Sequence, residues 1–113
     1  MAKRILIPLQ GENIAPRFDL APEVLIVHMD QGGKLSDRRL VVLARPSPEE
    51  LCDLVVKERI DILVCCGIEE EFYQFLRWKK VEVFDSVIGS AGAILERLSR
   101  GDLRGGAIVW GAE

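Results

Sequence analysis

The feature that most constrains this chain is the alternation, in its second half, of short apolar runs with stretches of helical period. "DILVCC" (61–66) and "VEVF" (81–84) are too short to be core helices, so each reads as a buried strand. Between and around them lie three segments with apolar residues on one helical face. In "SPEELCDLVVKERI", Ser47 is an N-cap, Pro48 occupies the first helical position and Glu50 completes a capping box, with Leu51, Leu54 and Val55 forming the stripe. "EEEFYQFLRWKK" places Phe72, Phe75 and Leu76 together and ends in basic residues that suit the helix macrodipole. Gly89-Ser90 opens the third, with Ala91, Ile94, Leu95 and Leu98 as its stripe and Gly101 as its stop. Strands separated by helices require crossover connections, hence an α/β fold with a mostly parallel sheet.

The first half adds antiparallel strands. "RILIPL" (4–9) is a buried strand. "VLIVHMD" (24–30) and "KLSDRRLVVLA" (34–44) flank Gln31-Gly32-Gly33, whose glycines suit a tight hairpin turn. Along the first hairpin strand, Leu25, Val27 and Met29 face one way, and His28 shares the other face with Val24 and Ile26. "QGENIAPRFDLAPE" is long for a connection, and such loops tend to be functional or mobile. The tail "LRGGAIVWGAE" carries "AIVW", an edge strand or a partner contact. The expected order is β, β-hairpin, α, β, α, β, α, in one domain spanning residues 1–113.

Composition removes several classes of function. A formal charge of −3 with no dense basic run argues against nucleic acid. No run approaches the ~18 apolar residues that a membrane helix needs. The basic start "MAKRILIPLQ" lacks the apolar length and cleavage site of a signal peptide. The three cysteines, Cys52, Cys65 and Cys66, have no spacing suited to a disulfide framework or a zinc cage, so a reducing, cytoplasmic setting is expected.

In an open α/β sheet, ligands gather outside the carboxyl ends of the parallel strands. Three segments should meet there: residues 10–22, the turn at Gly67-Ile68, and residues 85–90. Arg17, Phe18, Cys65, Cys66, Asp85, Ser86 and Ser90 are candidates by position. Glu69, Glu70 and Glu71 fall at the start of the second helix and occupy with negative charge the place an anion would use. They also disfavour a thiolate. Cys65 and Cys66 should face opposite sides, one of them as a core residue. Arg17 is either an anion grip shielded by Phe18 or a solvated partner of Asp19. A nuclease metal cage fails because "RILIPLQ" has no carboxylate and Asp61 begins its strand rather than ending it.

Three stretches, "APRFDLAPEVLIVHMDQGGK", "DILVCCGI" and "VEVFDSVIGSAGAILERL", resemble in order and spacing the dinitrogenase iron–molybdenum cofactor biosynthesis family, the NifX-like domain. The resemblance covers roughly residues 3–103 and leaves 104–113 as a tail. Asp19 stands where the family carries a glycine, and Cys66 with three glutamates replaces a second glycine and small residues. The resemblance implies a ribonuclease H-like fold: a five-stranded mixed sheet with helices on both faces. It implies a non-enzymatic protein that binds an iron–sulfur or molybdenum-containing cluster, or its precursor, transiently during cofactor assembly. Arg17, Phe18, Cys65, Cys66, Gly67, Gly89 and Ser90 would line the cleft, with Cys65 or Cys66 as the metal ligand. Metalloprotein assembly partners are implied, and a homodimer is compatible. The alternative is an interaction module of the same fold that has lost its ligand and works through its surface.

Overall fold

A computed structural model describes residues 2–109. Its centre is β1 (Lys3–Gln10), in which five consecutive residues, Ile5 to Leu9, are buried. A strand buried on both faces must be interior, and β1 has neighbours on either side. β3 (Glu23–Met29) pairs with it antiparallel from Lys3–Met29 to Leu9–Glu23, and β5 (Ile62–Val64) pairs parallel through Ile5–Ile62. β4 (Leu35–Val42) and β6 (Glu82–Phe84) complete the order β4-β3-β1-β5-β6. The expected five strands gain a short sixth, because β2 (Asn13–Ile14) folds back onto the end of β1 through Leu9–Ile14 and Gln10–Asn13.

Side-chain alternation splits the core into two. Leu6, Val24, Ile26 and Leu63 face α1 (Pro48–Lys57) and α2 (Glu70–Trp78), with Leu51, Val55 and Leu76 packed on them. Ile5, Ile7, Val27, Ile62 and Val64 face α3 (Ala91–Ser99), which contributes Ile94, Leu95 and Leu98. His28 lies on the first face and Leu25 and Met29 on the second, as period-2 alternation requires.

The helix starts are chemical. Ser47 Oγ accepts from the Glu50 N–H at 3.1 Å, with Pro48 inside the first turn, and Ser90 Oγ accepts from the Ala93 N–H at 3.3 Å. In α2 the stripe is narrower than the spacing suggests. Leu76 is buried and Phe72 half-buried, but Phe75 is exposed at the edge of the stripe, 6.5 Å from the Trp78 ring with the Lys79 ammonium over both. The hairpin turn closes on Asp30, whose Oδ1 accepts from the Gly32 and Lys34 N–H groups at 2.9 Å.

Two segments differ from the alternation pattern. The strand expected over 61–66 ends at Val64, because the chain leaving β6 turns back and caps it: Ser86 N–H donates to the Cys66 carbonyl and Val87 N–H to the Cys65 carbonyl. The tail forms β8 (Ile108–Val109), which pairs parallel with β7 (Ile88–Gly89) in a separate two-stranded sheet. Val109 is buried and Ile108 exposed; Trp110 lies outside the described residues.

Leu63, fully buried in the strand between β1 and β6, should be a stability determinant. Leu63→Ala is expected to cost about 2–5 kcal/mol in urea unfolding, against less than about 0.5 kcal/mol for Leu40→Ala on the exposed outer strand. Equal costs at the two positions would refute this division of core and surface.

Candidate functional site

The carboxyl ends of β1, β5 and β6 form one rim on which the three expected segments meet. Residues 16–18 run beside the turn after β5 as a one-residue parallel bridge between Arg17 and Gly67. Gly67 N–H donates to the Pro16 carbonyl at 2.8 Å and Phe18 N–H donates to the Gly67 carbonyl at 2.7 Å. A Cβ on Gly67 would stand 2.8 Å from the Pro16 oxygen, so the approach has no room for a side chain. The segment after β6 lies along Cys65 and Cys66 through its own two bonds, and at the far end Asn13 bridges Ser90 while Ala91 N–H donates to the Glu12 carbonyl.

The candidate residues occupy different environments along this rim. Arg17 and Gly67 line one depression of about 220 Å³, together with Asp19, Ile68 and Glu69. Phe18 does not line it: at 1% exposure its ring fills the core beneath, and so does the fully buried Cys65. Cys66 is half-buried and packs toward the α3 side. Gly89 and Ser90 lie further along and serve the backbone. A Cβ on Gly89, whose φ is +150°, would meet the Val109 oxygen at 1.6 Å, and the Ser90 hydroxyl caps α3. Asp85 is half-buried, its carbonyl accepting from the Gly106 N–H, and Ser86 is exposed in the left-handed region at φ 58°.

Electrostatics qualify the role of Arg17. Its Nε and Nη2 donate to the two Asp19 carboxylate oxygens at 3.0 and 2.9 Å, and Nη2 lies 3.7 Å from Glu69 Oε1. The hydrogen bond to Asp19 raises the guanidinium pKa, and the same bond lowers that of the Asp19 carboxyl. The bidentate pair leaves the depression with one cation facing two carboxylates. Arg17 is the solvated partner of Asp19 and stands at the mouth of the depression, and Phe18, expected to shield it, is buried in the core instead. The sequence made Asp19 visible as a neighbour, but Glu69 comes close only because the Gly67 bridge brings the two loops together.

The thiols are unequal. Burial first, then the Asp85 and Cys66 charges, pushes Cys65 up to about 12, and burial with Asp53 and Glu49 nearby pushes Cys52 up to about 11. Among the described residues no group of three or more His, Cys, Asp or Glu side chains is placed to hold a metal ion. This donor set does not fit a resident metal held by side-chain ligation.

Three layers of helix, mixed sheet and helix, with loops gathered at one strand end, define a small α/β protein. The sequence matches the family described as dinitrogenase iron–molybdenum cofactor over residues 1–101, and the chain belongs to that family. Its fold is similar to the crystal structure of PH0822, with a TM-score of 0.80 at 16% identity over 89% of this chain and 92% of that one. It is also similar to mj0327, a proposed dinitrogenase from Methanocaldococcus jannaschii (TM-score 0.74, 20% identity, 91% and 93% covered). The apo form of the orange protein from Desulfovibrio gigas is similar too (TM-score 0.72, 17% identity, 95% of each chain). No curated protein sequence matches the chain significantly.

Two outcomes test this geometry. Gly67→Ala should lower stability by about 1–3 kcal/mol and accelerate amide exchange at Phe18, since the added methyl parts the bridged loops; unchanged exchange would show that the bridge can shift at no cost. Iodoacetamide at mildly alkaline pH should add one adduct, on Cys66, by intact and peptide mass spectrometry. Labelling of Cys65 in the folded protein would contradict its burial.

Proposed function

We propose that this protein binds a metal–sulfur cluster, iron–sulfur or molybdenum-containing, or a precursor of one, and carries it during cofactor assembly without catalysing a reaction. The family match over residues 1–101 carries this reading. The meeting of Arg17 and Gly67 at one depression supports a site at the rim, where open α/β sheets take ligands. Cluster cargo would rest in the depression at Gly67, with Arg17 at its mouth and Cys66, the most exposed of the three thiols, next to Gly67 in the chain. Gly89 and Ser90 would shape the adjoining wall. Phe18 and Cys65 would act from beneath, by fixing the rim in place. The mixed sheet with helices on both faces supports a ribonuclease H-like, single-domain assignment, and three free thiols are consistent with a reducing cytoplasmic setting.

Anaerobic reconstitution with iron, sulfide and molybdate tests this. The desalted protein should retain metal and visible charge-transfer absorbance, and Cys66→Ala or Arg17→Ala should retain severalfold less. Colourless, metal-free protein, with the variants indistinguishable from it, would end the proposal.

A second reading, an interaction module without cargo, is favoured by the neutralised Arg17 and by the groove between α1 and α2. There Phe72, Phe75 and Cys52 form an apolar floor with Glu49, Asp53 and Glu71 around it.

A further inference from the structure

The opposite end of the sheet gathers the positive charge that the rim lacks. An open cavity of about 430 Å³ lies there, lined by Arg4 from the start of β1, His28 from β3, Asp37, Arg38 and Arg39 from β4, and Glu58 at the carboxyl end of α1. Its size falls within the roughly 300–1,000 Å³ of small-molecule sites. Three guanidiniums and an imidazole face two carboxylates, in a chain whose formal charge is −3.

A break in the pleat builds this cavity. In a regular strand successive side chains alternate between faces, so three consecutive residues cannot line one pocket. Here Asp37, Arg38 and Arg39 all do. The register moves from Ile26–Arg39 to His28–Ser36, so β4 spends one residue more than β3: a β-bulge. Asp37 sits in it at φ 53°, a left-handed conformation that a non-glycine residue adopts at a cost. The bulge brings the Asp37 carboxylate to 3.3 Å from His28 Nδ1 and turns Arg38 into the cavity.

The surrounding groups are arranged to hold guanidiniums in place. Arg4 Nη1 donates to the Glu58 carbonyl at 2.7 Å, and Arg39 Nη2 donates to the Glu58 carboxylate, so one residue fixes two arginines. Each keeps most of its N–H donors unspent, and Arg38 has no side-chain partner among the described residues. Bulges and charges also protect exposed sheet edges. That role alone does not require Arg4 and His28, from interior strands, and Glu58, from a helix, to converge on the same space.

We propose that this cavity is a binding site for a phosphate-bearing small molecule. Three arginines approaching from two strands suit a group with three terminal oxygens better than a carboxylate with two. The volume leaves room for the organic part of a phosphate monoester beside Ile26.

The test is an NMR titration of the full-length protein with inorganic phosphate and, separately, with glycerol 3-phosphate, both at constant ionic strength set with chloride. The Arg4, Arg38 and Arg39 side-chain signals and the His28 ring should shift saturably, with glycerol 3-phosphate acting at about tenfold lower concentration than the free ion. Arg38→Ala should weaken both at least tenfold with an unchanged melting temperature, because it removes no contact of the fold, whereas Arg17→Ala at the rim should change neither. Shifts that fail to saturate, that appear equally at Arg17, or that survive Arg38→Ala would overturn the site. Saturation by inorganic phosphate with no gain for the ester would overturn its assignment to a phosphate monoester.

Discussion

Two backbone hydrogen bonds between residues 16–18 and Gly67 tie the loop after β2 to the end of a core strand. Much of the rim follows from them. They place Phe18 over the core, where burying an aromatic ring contributes about 1.5–3 kcal/mol, and that burial in turn holds the turn at Phe18–Leu20 against α1. With the ring pointing down, Arg17 points out, and the Asp19 carboxylate falls within reach of its guanidinium. The requirement for glycine at residue 67 is one of space: the neighbouring carbonyl occupies the volume a methyl would need.

Charge is distributed along the sheet rather than spread over the surface. α1 and α2 both begin near the rim, and each carries glutamates in its first turn, Glu49 and Glu50 in one and Glu70 and Glu71 in the other. These stabilise the helices through the macrodipole by about 0.3–1 kcal/mol each, but they spend the positive potential that a helix start would otherwise offer an anion. At the opposite end of the sheet Arg4, Arg38 and Arg39 meet across β1 and β4. The modest net charge of −3 conceals this polarity.

Much of the architecture was legible in the sequence because it depends on local periodicity. The alternation in residues 24–29 assigned His28 and Leu25 to the correct faces, and Ser47 and Ser90 announced their helices, since an N-cap is a contact across three residues. What escaped was set by partners distant in sequence. The end of β5 at Val64 depends on Ser86 and Val87 taking the cysteine carbonyls. β2 and β7 are two-residue elements with no pattern to detect, and "LSDRRLVV" reads as an ordinary strand because a left-handed aspartate leaves no mark on composition. At the rim, periodicity named the segments that converge but could not give depth: Phe18 and Cys65 lie beneath the surface that Arg17 lines.

A protein that carries a cluster has to release it, and this sets a limit on how strongly its side chains can ligate. A cage of several thiolates would hold a cluster as a resident group, and among the described residues the rim brings no such cage together. Cys65 is buried with its thiol pushed up to about 12, and Cys66 is its half-buried neighbour on the opposite face of the sheet. Arg17, already satisfied by Asp19, can offer an incoming anion its exposed face or exchange one carboxylate for another at little cost, because an exposed ion pair contributes only about 0–1 kcal/mol. Glu69, 3.7 Å away, would oppose retention of negative charge there. In the proposed carrier role, an exchangeable cation, one accessible thiol and a depression floored by a glycine would make a seat that a stronger ligand set on a partner could empty. The acidic start of α2, which argues against permanent binding, is thus compatible with the transient binding proposed for the family's cargo.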